Sequence, residues 1–401
     1  MTTRAFDPEA KGPLSGIKVL DLSRLVAGNM TSLQLGDFGA DVIKVEPPTG
    51  DPLRAWTEEG TPFFWKVYGR NKRSIALDLR RPAAMDALWA LIETADVFIE
   101  NFRPGTLEKM GLAPKALHAR SPGLIVLRVS GYGQTGPYAQ WPGFGTIVEA
   151  MSGYAYRTGH PDREPILPPL ALADMIAGIY GASAVTTALL AREKGTAQGQ
   201  IIDLSLLEPI FSVLGPEAAI FARTGTIKER IGSASNTSSP RNVYVCGDGK
   251  HLALSGSTQA VAHRIFAIIG RPDMIDDPRF ASNADRIKHR EIVDAAIGGW
   301  FAARTSDEAL TIMRDAGATV GPIYSIADAY EDPHFREREV FLELEDAQFG
   351  TLPMHNIVPR LSQTPGGFFR PAPDLGADGQ RILAEAGLEP TEITAALATK
   401  Q

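Results

Sequence analysis

The chain has one cysteine, Cys246, in 401 residues, so no internal disulfide can form. That fits a reducing compartment. It also rules out a thiolate cluster as a metal site. The seven histidines (His118, His160, His251, His263, His289, His334 and His355) show no H-x-x-H or H-E-x-x-H spacing. A catalytic zinc therefore has no ligand set, and the expectation is no metal. No G-x-S-x-G elbow is present, which leaves a serine hydrolase unsupported. The net charge is −7, without a long basic run, and this argues against nucleic acid as a partner. The opening residues MTTRAFDPEAKGPLSG lack the apolar core of a secretory signal, so a cytoplasmic protein is expected. Long apolar runs are scarce. Only LPPLALADMIAGIYGASAVTTALLAR (Leu167–Arg192) has bilayer length, and Asp174 inside it favours a buried helix over a membrane span.

What remains is the composition of an ordinary soluble protein, 44% hydrophobic and 22% charged, long enough for two or three domains. In the first 130 or so residues, short β-rich runs alternate with helical patterns. IKVLDL, DVIKVE, SIALDL, DVFIEN and LIVLRVS read as strands; AGNMTSLQLGDFG and PAAMDALWALIETA read as helices. This alternation predicts a parallel, doubly wound sheet. The stretch QIIDLSLLEPIFSVLGPEAAIFA (Gln200–Ala222) reads as helix-compatible. RTGTIKERIGSASNTSSPRN reads as a linker or mobile loop, with Ile231–Pro240 a candidate lid. VYVCGDGKHLALSG reads as a hairpin. From about Tyr324 the chain reads as loop-rich, ending in two amphipathic segments.

Three features carry chemistry, each beside a plainer reading. GYGQTG (Gly131–Gly136) follows a strand, but Pro137 and more loop follow it, so the helix that a dinucleotide loop needs is missing. Lys66, Arg70, Lys72, Arg73, Arg80 and Arg81 form a basic stretch, either a phosphate-attracting patch or an ordinary solvated surface. Asp174 lies one turn into a helix that begins after Pro168-Pro169. A carboxylate there meets the helix dipole favourably, by about 0.3–1 kcal/mol. It is equally a lone carboxylate among apolar and small residues, where a thin hydration shell makes a good nucleophile.

Taken in order, PLSGIKVLDLSRLVAG, LGDFGADVIKVEPPTGDPLR, RNKRSIALDL, DVFIENFRPGTLEKMGL, VSGYGQTGPY, LADMIAG, GDGKHLALSGSTQ and AGATVGPIYSIADAYEDPHF resemble the family III CoA-transferases over nearly the whole chain. The resemblance implies an α/β fold: a Rossmann-like doubly wound large domain, a smaller α+β domain, and two chains interlocked as rings in a homodimer. The layout it suggests is residues 1–195 for the first part of the large domain, 196–225 for linker helices, 226–325 for the small domain and 326–401 for the return. It implies Asp174 as the nucleophile that takes CoA from an acyl-CoA and passes it to a small carboxylic acid. CoA is then substrate, with no tightly bound cofactor. By the same resemblance Val26, Ala27, Leu77, Arg80, Asn101, Phe102, Arg103 and Lys109 line the CoA site. The racemase branch of the family needs a histidine and a glutamate; these positions fall on Phe144 and Thr258 here, which leaves proton transfer at an α-carbon without its groups. An acyl-CoA isomerase and a CoA-binding protein without turnover are the alternatives.

Overall fold

The structure is a computed structural model that describes residues 2–398. The β-branched runs form six strands of one sheet: β1 (Lys18–Asp21), β2 (Asp41–Glu46), β3 (Lys72–Ala76), β4 (Val97–Glu100), β5 (Ile125–Ser130) and β6 (Gln200–Ser205). All pair in parallel, in the order β3-β2-β1-β4-β5-β6. Winding reverses between β1 and β4, and that is where a doubly wound sheet opens a crevice at its carboxyl edge.

Strand residues alternate between two cores. Leu20, Ile43, Ile75 and Phe98 face one side, where helix α2 (Pro82–Glu93) and the C-terminal helices Gly379–Glu385 and Pro390–Leu397 cover them. Val19, Val42, Ile99 and Leu127 face the other, with Ala173, Ala177 and Val185 of α3 (Leu172–Glu193). Each such side chain contributes about 1.5–3 kcal/mol when fully buried. Helix α1 (Ala27–Asp37) packs against α3 at short range. A Cβ on Gly178 would stand 2.6 Å from the Met30 side chain, so glycine is what permits this approach. Among the described residues, α3 alone is long and apolar enough to cross a membrane.

The chain divides into two compact units. The first holds the residues up to Tyr154, Leu167–Gly215, and those from Arg336 on. The second holds Ala155–Ile166 and Pro216–Phe335. In the second, the hairpin Arg241–Val245 and His251–Ser255 turns at the GDGK segment, and Val320–Pro322 adds a third antiparallel strand. Phe266, Phe280, Phe301 and Met313 fill its core.

Two sequence expectations need correction. Gln200–Ser205 is a strand, not helix: it pairs with β5 over six residues, and Ile201 and Ile202 point to opposite faces of the sheet edge. A continuous apolar run does not reveal its own period, and only the partner strand settles it. The region after Tyr324 is also more ordered than expected. Phe341–Asp346 and Gly350–His355 form an antiparallel hairpin, extended by Thr3–Arg4. The segment Ile231–Pro240 is strapped down within its unit. Arg286 Nε donates to Ser239 O at 2.7 Å, and Asn283 Nδ2 donates to Thr237 O at 2.9 Å.

Candidate active site

The carboxyl ends of β1 to β4 enclose a cavity of about 570 Å³. Leu22, Ser23 and Arg24 wall it after β1, and Pro47, Pro48 and Thr49 after β2. Leu77 and Arg80 follow β3; Phe102, Thr106 and Met110 follow β4. Its carboxylates are neutralised: Asp78 pairs with Arg80 at 2.7 Å, Glu46 with Arg54 at 2.7 Å and Asp51 with Lys44 at 3.1 Å. Arg24 has no carboxylate partner among the described residues and lies 5.6 Å from the Phe102 ring centre. The groove thus offers apolar walls with exposed guanidinium groups at its rim, a combination suited to an aromatic base carrying phosphates.

Beneath it lies a fully buried polar cluster. Lys44 Nζ bonds Asp21 at 3.2 Å and Ser23 O at 2.5 Å. Lys72 Nζ donates to Asn29 Oδ1 at 2.8 Å. Burial, only partly opposed by Asp21, lowers Lys72 to about 7. Asp51 accepts from Leu25 N at 3.0 Å, Leu53 N at 2.9 Å and Asn29 Nδ2 at 2.8 Å. Leu25 is held at φ 61°, a left-handed conformation that a leucine rarely adopts. This hub fixes the turn that delivers Val26 and Ala27 to the start of α1.

The sequence-derived contacts separate into groups. Leu77, Arg80 and Phe102 line the groove. Val26 packs with Leu53 and Trp65 in a cluster that Ala171 and Met175 complete, on either side of Asp174 in sequence; Ala27 is buried against α3. Asn101 is a staple: its amide accepts from Arg24 N and donates to Arg24 O, both at 2.8 Å, joining the loops across the switch point. Arg103 and Lys109 are exposed and lie outside the groove lining. The basic stretch is mostly committed to tertiary contacts. Lys66 pairs with Asp346 at 2.6 Å, Arg70 with Asp37 at 2.6 Å and Arg73 with both Asp41 and Glu385. Sequence spacing could not reveal these partners, which lie up to 312 residues away.

Asp174 stands in the first turn of α3. Burial raises its carboxyl to about 6, and the neighbouring Glu149 carboxylate adds to the rise. Its Oδ2 occupies the space that a Cβ on Gly145 would need, 2.1 Å away. Glu149, buried on helix Gly145–Met151, accepts from Ala173 N at 3.0 Å. No ion-pair partner for either carboxyl is found among the described residues. Nothing in the sequence signals that Gly145, in the GFG turn, or Glu149 stands beside Asp174, because that closeness belongs to no local motif. Phe144 and Thr258 are the residues onto which the resemblance puts the racemase histidine and glutamate; Phe144 is 62% exposed, and the Thr258 hydroxyl caps helix Gln259–Ile268. Neither residue can move a proton at a reacting carbon.

A doubly wound sheet with a groove at its switch point, and on helix α3 a half-buried carboxyl with no ion-pair partner among the described residues, define a nucleotide-type fold equipped for carboxylate chemistry. The sequence pattern of CoA-transferase family III matches residues 14–379. A succinyl-CoA–D-citramalate CoA-transferase of Chloroflexus aurantiacus is 38% identical, over 93% of this chain and 94% of its own. A succinate–glutarate CoA-transferase of Agrobacterium fabrum is 36% identical, over 97% and 98%. The crystal structure of a CAIB/BAIF family protein from Brucella suis superposes with a TM-score of 0.82 at 32% identity, over 94% of this chain and all of that one. The chain belongs to CoA-transferase family III, and its activity is of the acyl-CoA:carboxylate CoA-transferase class.

Proposed function

We propose that the protein moves CoA from a dicarboxylic acyl-CoA such as succinyl-CoA to a second small carboxylic acid, with Asp174 as the nucleophile. The observation that carries this reading is the Asp174 carboxyl itself. It is half-buried, has no ion-pair partner among the described residues and is raised to about 6, so at neutral pH it is ionised yet only partly solvated. The names of the relatives support the donor class.

In this mechanism an Asp174 oxygen attacks the thioester carbonyl. The C–S bond breaks, which releases CoA thiolate and leaves an aspartyl–acyl anhydride. The thiolate attacks the aspartyl carbonyl and expels the donor acid as its carboxylate, so that CoA is now bound to Asp174 as a thioester. The acceptor carboxylate displaces the thiolate to form a second anhydride. Attack of the thiolate on the acceptor acyl carbon yields the new acyl-CoA and regenerates Asp174. No net proton is consumed, and the energy of the thioester survives only where water is kept away. Leu77, Arg80 and Phe102 hold the CoA nucleotide, the turn at Val26 and Ala27 guides its thiol end, and Asn101 fixes the loops between them. Arg103 and Lys109 take the outer phosphates.

The working unit is an interlocked homodimer. In support, apolar side chains stay exposed on the single chain near the site: Phe144, Ile147 and Met151, with Ile179 and Tyr180 on α3. We assign the protein to the cytoplasm, in keeping with its one buried thiol. The test is to incubate it with succinyl-CoA, trap with hydroxylamine, and locate the hydroxamate by mass spectrometry. The modification is expected on Asp174, and Asp174→Ala should abolish exchange. An Asp174→Ala protein that exchanges CoA at the wild-type rate would sink the mechanism.

A further inference from the structure

Glu149 is buried, 2% exposed, and no cation pairs with it among the described residues. A buried carboxyl without a partner is costly, so its retention calls for a function. The hydrogen bond that its carboxyl accepts from Ala173 N ties helix Gly145–Met151 to the residue preceding Asp174. One end of that helix, at Gly145, cradles the Asp174 carboxyl, and the next turn carries Glu149. A single seven-residue helix therefore sets both the place and the electrostatic surroundings of Asp174.

The geometry points to Glu149 as the positioning residue of this site: it fixes the first turn of α3 through the Ala173 amide and sets a buried carboxylate beside Asp174, which makes Asp174 a stronger nucleophile. This rests on Asp174 being the nucleophile. The other charged groups on elements packed against α3 are engaged elsewhere. Asp37 of α1 holds Arg70, and Arg128 of β5 holds Glu100 and Glu108. Asp203 of β6 accepts from Gln134 N, and Glu208 accepts from Ser205. Among the described residues, Glu149 is the neighbouring charge that raises Asp174.

Glu149→Gln separates the two roles. Glutamine can still accept from Ala173 N, but it carries no charge. With succinyl-CoA as probe, the acid limb of kcat/KM should move to lower pH in Glu149→Gln, on the order of one unit, with turnover at neutral pH reduced several-fold. Reaction of Asp174 with a water-soluble carbodiimide, read by peptide mass spectrometry across the same pH range, should shift in parallel and does not depend on the acyl-CoA chosen. Glu149→Ala should lose both the amide anchor and the charge, and fall further than Glu149→Gln. If Glu149→Gln keeps the wild-type acid limb and labelling profile while the hydroxamate still forms on Asp174, the inference is overturned and the nucleophile assignment stands. If the wild-type hydroxamate forms elsewhere, both fall together.

Discussion

The Oδ2 of Asp174 stands 2.1 Å from the point where a Cβ on Gly145 would sit. A side-chain carbon does not come within 3.0 Å of a nonbonded oxygen, so any side chain at 145 forces the carboxyl out of its seat. Gly145→Ala is expected to fold, since alanine suits a helix start, yet to lose turnover by on the order of 10²-fold through misplacement of the Asp174 carboxyl. Steady-state kinetics and hydroxylamine trapping would check it. Unimpaired trapping on Asp174 would contradict the steric account.

Asp174 should also leave a signature in stability. Its folded-state carboxyl is raised from 3.8 to about 6, so the folded protein holds the proton more tightly than the unfolded chain. Stability therefore falls as pH rises through that window, and the loss is complete above it. Asp174→Asn removes the ionisation. Allowing for partial solvent access, it should stabilise the protein by about 1–2 kcal/mol at pH 7 and hardly at all near pH 4. Urea unfolding at the two pH values is the measurement.

The acid limb of kcat/KM should fall near pH 6, where Asp174 gains its proton. A profile flat down to about pH 4, the range of an ordinary carboxyl, would place the titrating group elsewhere.

Asp51 joins Lys44 to the backbone of Leu25. Asp51→Asn leaves the buried ammonium short of a counter-charge and should cost about 3 kcal/mol in urea unfolding. It should also raise KM for acyl-CoA, because the Leu25 turn loosens. Adding Leu25→Gly, which adopts φ 61° without strain, should recover part of the KM change but none of the lost ion pair.

Arg80 and Arg73 look alike in sequence and differ in situation. The Arg80 side chain is 86% exposed at the groove, whereas Arg73 is buried between Asp41 and Glu385. Arg80→Ala should raise KM for acyl-CoA with a marked salt dependence and little change in melting temperature. Arg73→Ala should lower the melting temperature instead. The reverse pattern would refute the division of the basic stretch into ligand and scaffold residues.

Five of the six strands, α1, α2 and α3, and the hairpin at GDGK were legible in the sequence, because each is specified by a local period and a local breaker. Asp174 stood out for a similar local reason, as the one charge in a long apolar segment. Its neighbours did not, since Gly145 and Glu149 reach it only when helix Gly145–Met151 packs against α3. Neighbouring turns in space carry no signature in spacing. The sixth strand was hidden because an apolar run declares its period only against a partner. The basic stretch was misleading for the same reason: charge is visible in a sequence, but whether a cation meets solvent or a carboxylate far along the chain is decided by folding. By itself, then, the sequence determined most of the elements and marked Asp174 as the lone charge of an apolar segment. Tertiary structure alone decided which cations are scaffold, and which buried carboxylate stands beside Asp174.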